Sequence, residues 1–256
     1  MKKPTRLPDG FCNQFSRAYP KVLLTEGSIM LKITYISHSG FLVELEDAYL
    51  LFDYYKGNIP EFVTEKTLYV FSSHSHRDHF NFSIFNLQKR ENKIYYILSD
   101  DIQVDGFEEV TLVGPNTELK VGDCLITTFE STDLGVAFLV SYKGVKIYHA
   151  GDLNWWHWNG ESDEYNQKMK ENYQKEMNKL KGEEIDIAFV TLDPRLEDAY
   201  LLGLDYFVKV TNPKWVFPMH FWGKVDIFDK LLKEKEIEGY KEKIVCIKKP
   251  GDEFYL

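Results

Sequence analysis

Four candidate metal ligands fall within six positions of this chain, in the run His74-Ser75-His76-Arg77-Asp78-His79. Two imidazoles separated by one residue, on an extended or tightly turned segment, bring their nitrogens to a common ion at roughly 2.0–2.2 Å. Neighbouring side chains point different ways, so the spacing assigns one ion to His74 and His76 and another to Asp78 and His79. An isolated His-x-His is as readily a polar surface turn. The two further ligands that follow at once weigh against that here.

A metal site needs a rigid support, and its elements can be read around this run. From Leu31 the chain shows short β-rich runs, LKITYIS, FLVELE and AYLLFD, which predict a meander of antiparallel strands. LYVFSS at 68–73 is an apolar strand that leads straight into the histidines. After Asn81, SIFNLQKR predicts a short helix and IYYILS a strand. Further strands are predicted at 110–113, 124–129, 136–142 and 145–149, the last two joined by Lys143-Gly144, a pair suited to a tight hairpin turn. A charged, proline-free stretch from Glu164 to Lys181 predicts a solvent-facing helix, and IDIAFVTL a buried strand. A helix near 198–210, the strand WVFP, a helix near 225–236 and a last strand IVCIK complete the chain. Histidines or acidic residues follow strands at about 74, 152, 193 and 220, so several loops can converge on one edge.

SHSHRDH at 73–79 resembles the His-x-His-x-Asp-His signature of the metallo-β-lactamase superfamily, and the likeness runs over nearly everything from Leu31 to the C-terminus. The resemblance implies an α/β (α+β) fold, a four-layer αββα sandwich. It also implies two divalent metal ions, zinc in the first place and manganese or iron as alternatives. His149-Ala150-Gly151-Asp152 is similar to the family's later Gly-Asp motif, whose carboxylate bridges both ions. Pro218-Met219-His220 is similar to its final His ligand, and Asp53 matches the acidic residue that supports the His-rich loop. ISHSGFLVE, the Gly-Val-x-Phe strand and YHAGD resemble the branch that includes ascorbate-6-phosphate lactonase.

One part of the pattern departs from the family. A third His for the first ion is expected before the bridging Asp, yet residues 110–140 contain none, only Glu130, Ser131, Thr132 and Asp133 near the right place. Asp133 then supplies an oxygen ligand, or is an ordinary loop residue, or the first ion is weakly held or missing. His149 at a strand end suits a hydrogen-bonding role behind the ligands. Two ions bridged by Asp152 would bring a water's pKa toward neutrality and give hydroxide as the nucleophile, with Asp78 orienting it or taking part in proton transfer.

Other residues fall near these motifs. Trp155 and Trp156 directly follow the bridging Asp and are candidates for a stacking wall beside substrate, or for packing on a helix. Arg195 is a candidate clamp for a phosphate or carboxylate, or an ion-pair partner of Asp193. His38 is a candidate pocket residue or a hydrogen-bonded core histidine. Trp222 and Lys224 lie close to His220 in sequence, and His157 is read as structural.

The remaining composition bounds the function. With 256 residues and 44% hydrophobic content, the chain buries a sizeable core, expected as one domain over 30–256. Residues 1–29 read as an extension or arm, with Met30 as an alternative start. A formal charge of -9 argues against a general grip on nucleic acid and favours a small-molecule substrate over a nuclease role. Cys12, Cys124 and Cys246 lack paired spacing, so no disulfide framework is expected, and a reducing, cytoplasmic setting fits. No apolar run approaches the roughly 20 residues that span a bilayer. The expected function is hydrolysis of a small ester, lactone, phosphoester or amide; a nuclease, or a non-catalytic ligand-binding member lacking the third His, are the alternatives.

Overall fold

The computed structural model describes residues 31–256 other than 64, 90–92, 105 and 108, so the arm expected at 1–29 and Met30 lie outside the described residues. Two twisted sheets lie face to face. The first takes β1 (Lys32–Ser37), β2 (Gly40–Glu44), β3 (Ala48–Phe52), β4 (Thr67–Ser72), β5 (Ile94–Ser99) and β6 (Val110–Val113). The second takes β7 (Glu118–Val121), β8 (Cys124–Glu130), β9 (Val136–Tyr142), β10 (Val145–His149), β11 (Ile187–Thr191) and β12 (Trp215–Met219). A last strand, β13 (Glu253–Tyr255), returns to pair with β1, so the strand orders are β13-β1-β2-β3-β4-β5-β6 and β12-β11-β10-β9-β8-β7.

The central strands are buried on both faces, which is why their sequences read as continuous apolar runs. Along β3, Leu50 and Phe52 face the core between the sheets, while Tyr49 and Leu51 face the opposite side, as the two-residue period of a strand requires. Phe41, Phe52 and Phe71 from the first sheet meet Phe138, Ile147 and Phe189 from the second in the core between them. On the outer face of the second sheet lie α1 (Asp163–Lys179), whose N-terminal amide at Tyr165 is capped by Ser162 Oγ, and α2 (Leu202–Thr211). Tyr173 and Met177 of α1 and Leu204 and Phe207 of α2 supply the buried stripe. The outer face of the first sheet is covered by a 3-10 helix, Phe82–Lys89, through Ile84 and Phe85. The layers are therefore helix, sheet, sheet, helix.

The antiparallel meander β1-β2-β3 and the two-residue turn at Lys143-Gly144 form as the sequence predicts, with Lys143 at φ 47° and Gly144 at φ 89°. Two expectations are corrected, and one strand was not foreseen. IVCIK is not a strand: Ile244 makes one bridge to Val216 and Val245 N–H one bond to Val216 O, after which the chain crosses to the other sheet. The crossing is held where Gly251 N–H donates to Tyr35 O. The helix near 225–236 shrinks to α3 (Ile227–Leu231), whose Asp226 makes no side-chain cap. The half-exposed run ELKV, without a clean alternation, is strand β7.

The site is positioned by strand direction. β1, β3 and β4 run the same way, and β10, β11 and β12 are mutually parallel. The residues just past their C-terminal ends are His38, Asp53, His74, Asp152, Asp193 and His220. His149 Nε2 donates to Ser39 O across the gap between the sheets and ties the two edges together. Among the described residues no helix is long and apolar enough to cross a membrane.

Candidate metal centre

Four separate strand ends deliver donors to one place, two more deliver supporting carboxylates, and the donors sort into two groups. His74, His76 and Asp152 form an outer group; His38, Asp78, His79 and His220 form a deep one. Within each group one ligand atom per residue lies within 4.8 Å of every other. Asp152 stands between them: its Oδ2 is 3.5 Å from His74 Nε2, and its Oδ1 is 3.2 Å from His79 Nε2 and 3.3 Å from His220 Nε2.

Two buried carboxylates fix the deep imidazoles. Asp53 Oδ2 accepts from His79 Nδ1 at 2.7 Å, and its Oδ1 accepts from Ser73 N–H at 2.7 Å. Asp193 Oδ2 accepts from His220 Nδ1 at 2.9 Å. Each ring therefore carries its proton on Nδ1 and turns a bare Nε2 inward. The outer group is fixed less directly. Ser73 Oγ donates to Asp53 Oδ2 and so accepts from His74 Nδ1 at 2.9 Å, while His76 is exposed and its Nδ1 lies 3.0 Å from His74 Nε2.

Backbone packing closes the floor beneath His74. Gly151, at φ 52°, sits so close to Ser73 that an added Cβ would lie 2.6 Å from the Ser73 Cβ. At Gly135, at φ 70°, a Cβ would overlap Ser73 O. Glycine is the residue that permits both the left-handed conformation and the approach. Non-glycine residues with positive φ also gather here: His38 at 56°, Asp53 at 42°, His220 at 65° and Trp222 at 54°. Such conformations store strain and mark functional sites.

The electrostatics follow from burial and crowding. Burial and the neighbouring His79 push the His74 imidazole down to about 4, and burial pushes His38 to about 4 as well. For His79 burial works in the same direction, yet Asp152 and Asp53 outweigh it and hold the ring well above its ordinary value. Burial opposes ionisation of Asp152, but His79 and His220 hold its carboxyl well below the carboxylate range. His79 Nε2, Asp152 Oδ1 and His38 Nε2 are buried with no hydrogen-bond partner. Bare donor atoms buried side by side are costly, and they fit a divalent cation that takes nitrogen and carboxylate ligands.

A cavity of about 380 Å³ opens over the donors, lined by His76, Asp78, Asp152 and His220, with Asp133, Trp156, Trp158, Arg195 and Trp222 on its walls. Trp156 is anchored by its Nε1–H to Asp152 O at 2.9 Å and stacks on Trp158, rings 6.0 Å apart. Trp155 does not face the cavity: it packs toward Tyr173 of α1 and Tyr206 of α2, because successive side chains in this segment point to opposite sides. Arg195 is bound to Asp193 through Nε and Nη2 at 2.5–3.0 Å, and its guanidinium also lies 4.6 Å from the Trp222 ring and 5.8 Å from Trp158. Arg195 is thus the ion-pair partner of Asp193 and also lies on the cavity wall. His149 has both ring nitrogens engaged, Nε2 with Ser39 O and Nδ1 with Gly151 N–H, and offers nothing to a metal.

Asp133 lies on the cavity wall and outside both donor groups, while Thr132 Oγ1 in the same loop donates to Asn154 O at 2.6 Å and accepts from Asn154 N–H. Lys224 is not among the residues lining the cavity. His38 sits not on the cavity wall but inside the deep group. The roles of Asp193 behind His220, and of Trp158, are not apparent from sequence. The signal for Asp193 was its place directly after a buried strand, at the same kind of strand end as Asp152.

Comparison with known proteins places this arrangement. Residues 32–159, half of the chain, match the model of a β-lactamase superfamily domain. The chain belongs to the metallo-β-lactamase superfamily. A metal-dependent hydrolase of Methanosarcina barkeri is 26% identical over 254 residues, covering 88% of this chain and 99% of that protein. One from Opitutus terrae is 31% identical over 142 residues, 48% of this chain, and the match spans 63% of its own length. Among solved structures, the metallo hydrolase Igni18 of Ignicoccus hospitalis superposes with a TM-score of 0.62 at 17% identity, covering 89% of this chain and 98% of that one. The metallo-β-lactamase fold protein YhfI of Bacillus subtilis gives 0.59 at 17% identity, with 90% and 100% covered. At these identities the structural matches show the shared sandwich alone.

Proposed function

We propose that this metal-dependent hydrolase of the metallo-β-lactamase superfamily cleaves a small-molecule ester, lactone, phosphoester or amide at a two-ion centre. The observation that carries the proposal is Asp152, whose two oxygens face different donor groups, 3.5 Å from His74 on one side and 3.2 Å from His79 on the other. His74, His76 and Asp152 would hold one ion; Asp78, His79, His220 and Asp152 the other, zinc in the first place, with manganese or iron served by the same donors. When bound, such ions supply Lewis acidity, acidifying a water and polarising the oxygen of the bond to be cleaved.

The chain's own residues do the rest. Asp53 and Asp193 keep His79 and His220 in the tautomer that leaves Nε2 free. Asp78, half-buried at the cavity, is placed to orient the attacking water or accept its proton. Burial and the nearby Asp152 push the Asp133 carboxyl up, which suits a group that returns a proton to the leaving atom rather than one that ligates. Trp156, Trp158 and Trp222 line the cavity and offer stacking surfaces. Among the described residues that line the cavity Arg195 is the only Arg or Lys, and it is paired with Asp193. That supports a substrate with at most one anionic group over a polynucleotide.

The test is a panel of esters, lactones, phosphomonoesters, phosphodiesters and amides offered to the metal-loaded protein beside its Asp152→Asn variant. Turnover of one class, lost in the variant, is expected. Two bound ions with no turnover of any class would overturn the proposal, and cleavage of oligonucleotides in preference to small substrates would replace it with a nuclease.

A further inference from the structure

The β1–β2 turn brings His38 to the centre from the opposite sheet to Asp152 and His220. Its side chain is 3% exposed, and its Nε2 lies 3.3 Å from Asp78 Oδ2. The ring centroid is 4.1 Å from that of His220 and 5.4 Å from that of His79. The ring is held there by its backbone. His38 N–H donates to Tyr35 Oη at 2.9 Å, His38 O accepts from His220 N–H at 3.3 Å, and the residue occupies the left-handed region at φ 56°. A strained conformation tied at both ends by hydrogen bonds fixes where the imidazole points.

The alternative is that His38 braces Asp78 by a hydrogen bond. The 3.3 Å contact holds the Asp78 carboxyl low, yet it falls short of an aligned hydrogen bond and leaves the buried Nε2 with none. A buried nitrogen without a partner is costly unless something else occupies it. The 3.3 Å spacing to Asp78 is instead the separation of two donors bound at 2.0–2.2 Å to one ion, about 100° apart.

We propose that His38 Nε2 is itself a ligand of the deep ion, completing a four-donor set with Asp78, His79 and His220 that Asp152 joins as the bridge. The proposal rests on the two-ion reading above and deepens it. It gives the deep ion three imidazoles and the outer ion two, so the imidazole missing from residues 110–140 has a counterpart that enters from residue 38 on the other ion. The deep ion is then the one retained through purification, and the outer one exchanges.

The experiment is to load the protein, labelled with nitrogen-15 at its 7 histidines, with cadmium-113 and to read one-bond cadmium–nitrogen couplings, which pass only through a direct bond. Coupling to His38 Nε2, assigned by its loss in His38→Asn, is the expected result. Asparagine tolerates the left-handed backbone that alanine does not. Couplings to His79 and His220 with none to His38 would overturn the assignment while leaving the metal centre intact; absence of any bound cadmium would overturn the centre and the assignment together. In the zinc form, His38→Asn should weaken the tighter class of site by at least 10-fold with near-ultraviolet dichroism unchanged. An unaltered dissociation constant in the folded variant would also overturn it.

Discussion

The deep and outer donor groups share one carboxylate but are built differently. In the deep group two of the three histidines donate Nδ1–H directly to a buried aspartate, His79 to Asp53 and His220 to Asp193. In the outer group His74 reaches Asp53 through the Ser73 hydroxyl, and exposed His76 meets His74 with no hydrogen bond to a carboxylate among the described residues. Preorganisation follows from the support rather than from the ligands: an imidazole already fixed in tautomer and angle loses little freedom on binding an ion. The deep group is a rigid anchor and the outer group an adjustable edge that opens on the cavity.

The largest expected effect tests what the two groups share. Asp152→Asn removes charge from both, and metal content should fall below one ion per chain with activity lost, a change exceeding the roughly 10–100-fold that supporting residues cost. Retention of two ions in this variant, read by elemental analysis, would break the comparison at its centre. Next, His220→Ala should release the deep ion, whereas His76→Ala should leave one ion per chain. Equal losses in the two variants would mean that the groups do not differ in strength.

Supporting carboxylates come third. Asp53→Asn and Asp193→Asn should each weaken metal binding by roughly 10–100-fold in competition with a chromophoric chelator. Asp53→Asn should touch both groups and Asp193→Asn the deep one alone. A fourth test uses protons. Asp152 and Asp53 raise the pKa of His79, so a proton competes with an ion for its Nε2. Binding should therefore release protons, seen as a dependence of calorimetric heat on buffer ionisation, and affinity should fall as pH is lowered. The smallest effect belongs to the walls: Trp222→Ala should raise KM by several-fold with metal content unchanged, about 1 kcal/mol of lost stacking. A change in metal content would show that Trp222, which also donates to Asp193 at 3.2 Å, supports the ligand more than the substrate.

Most of the strands and the spread of candidate ligands between 74 and 220 were legible because they depend on short-range pattern. A strand buried on both faces announces itself as an apolar run, and a strand end followed by His or Asp marks an edge that carries polar groups into solvent or onto an ion. IVCIK shows where that reasoning fails: it is apolar and buried enough to be a strand, but β12 offers it one bridge and the chain then leaves for the other sheet. Trp155 and Trp156 show it again. They are adjacent in sequence and identical in type, and only the path of the chain decides that Trp156 lines the cavity while Trp155 faces the helices.

The sequence by itself determined the chemistry available: four ligands in six positions, a Gly-Asp pair at a strand end, and glycine at 135 and 151 where the backbone must pass close to Ser73. These are local requirements, since side-chain type and backbone freedom belong to single residues. The tertiary structure decided which donors share a group, that Asp193 stands behind His220, and that His38 enters from 36 residues before His74. Those relations arise from sheet pairing and strand direction, which bring residues from both sheets to one edge and leave no trace in the spacing of any one segment.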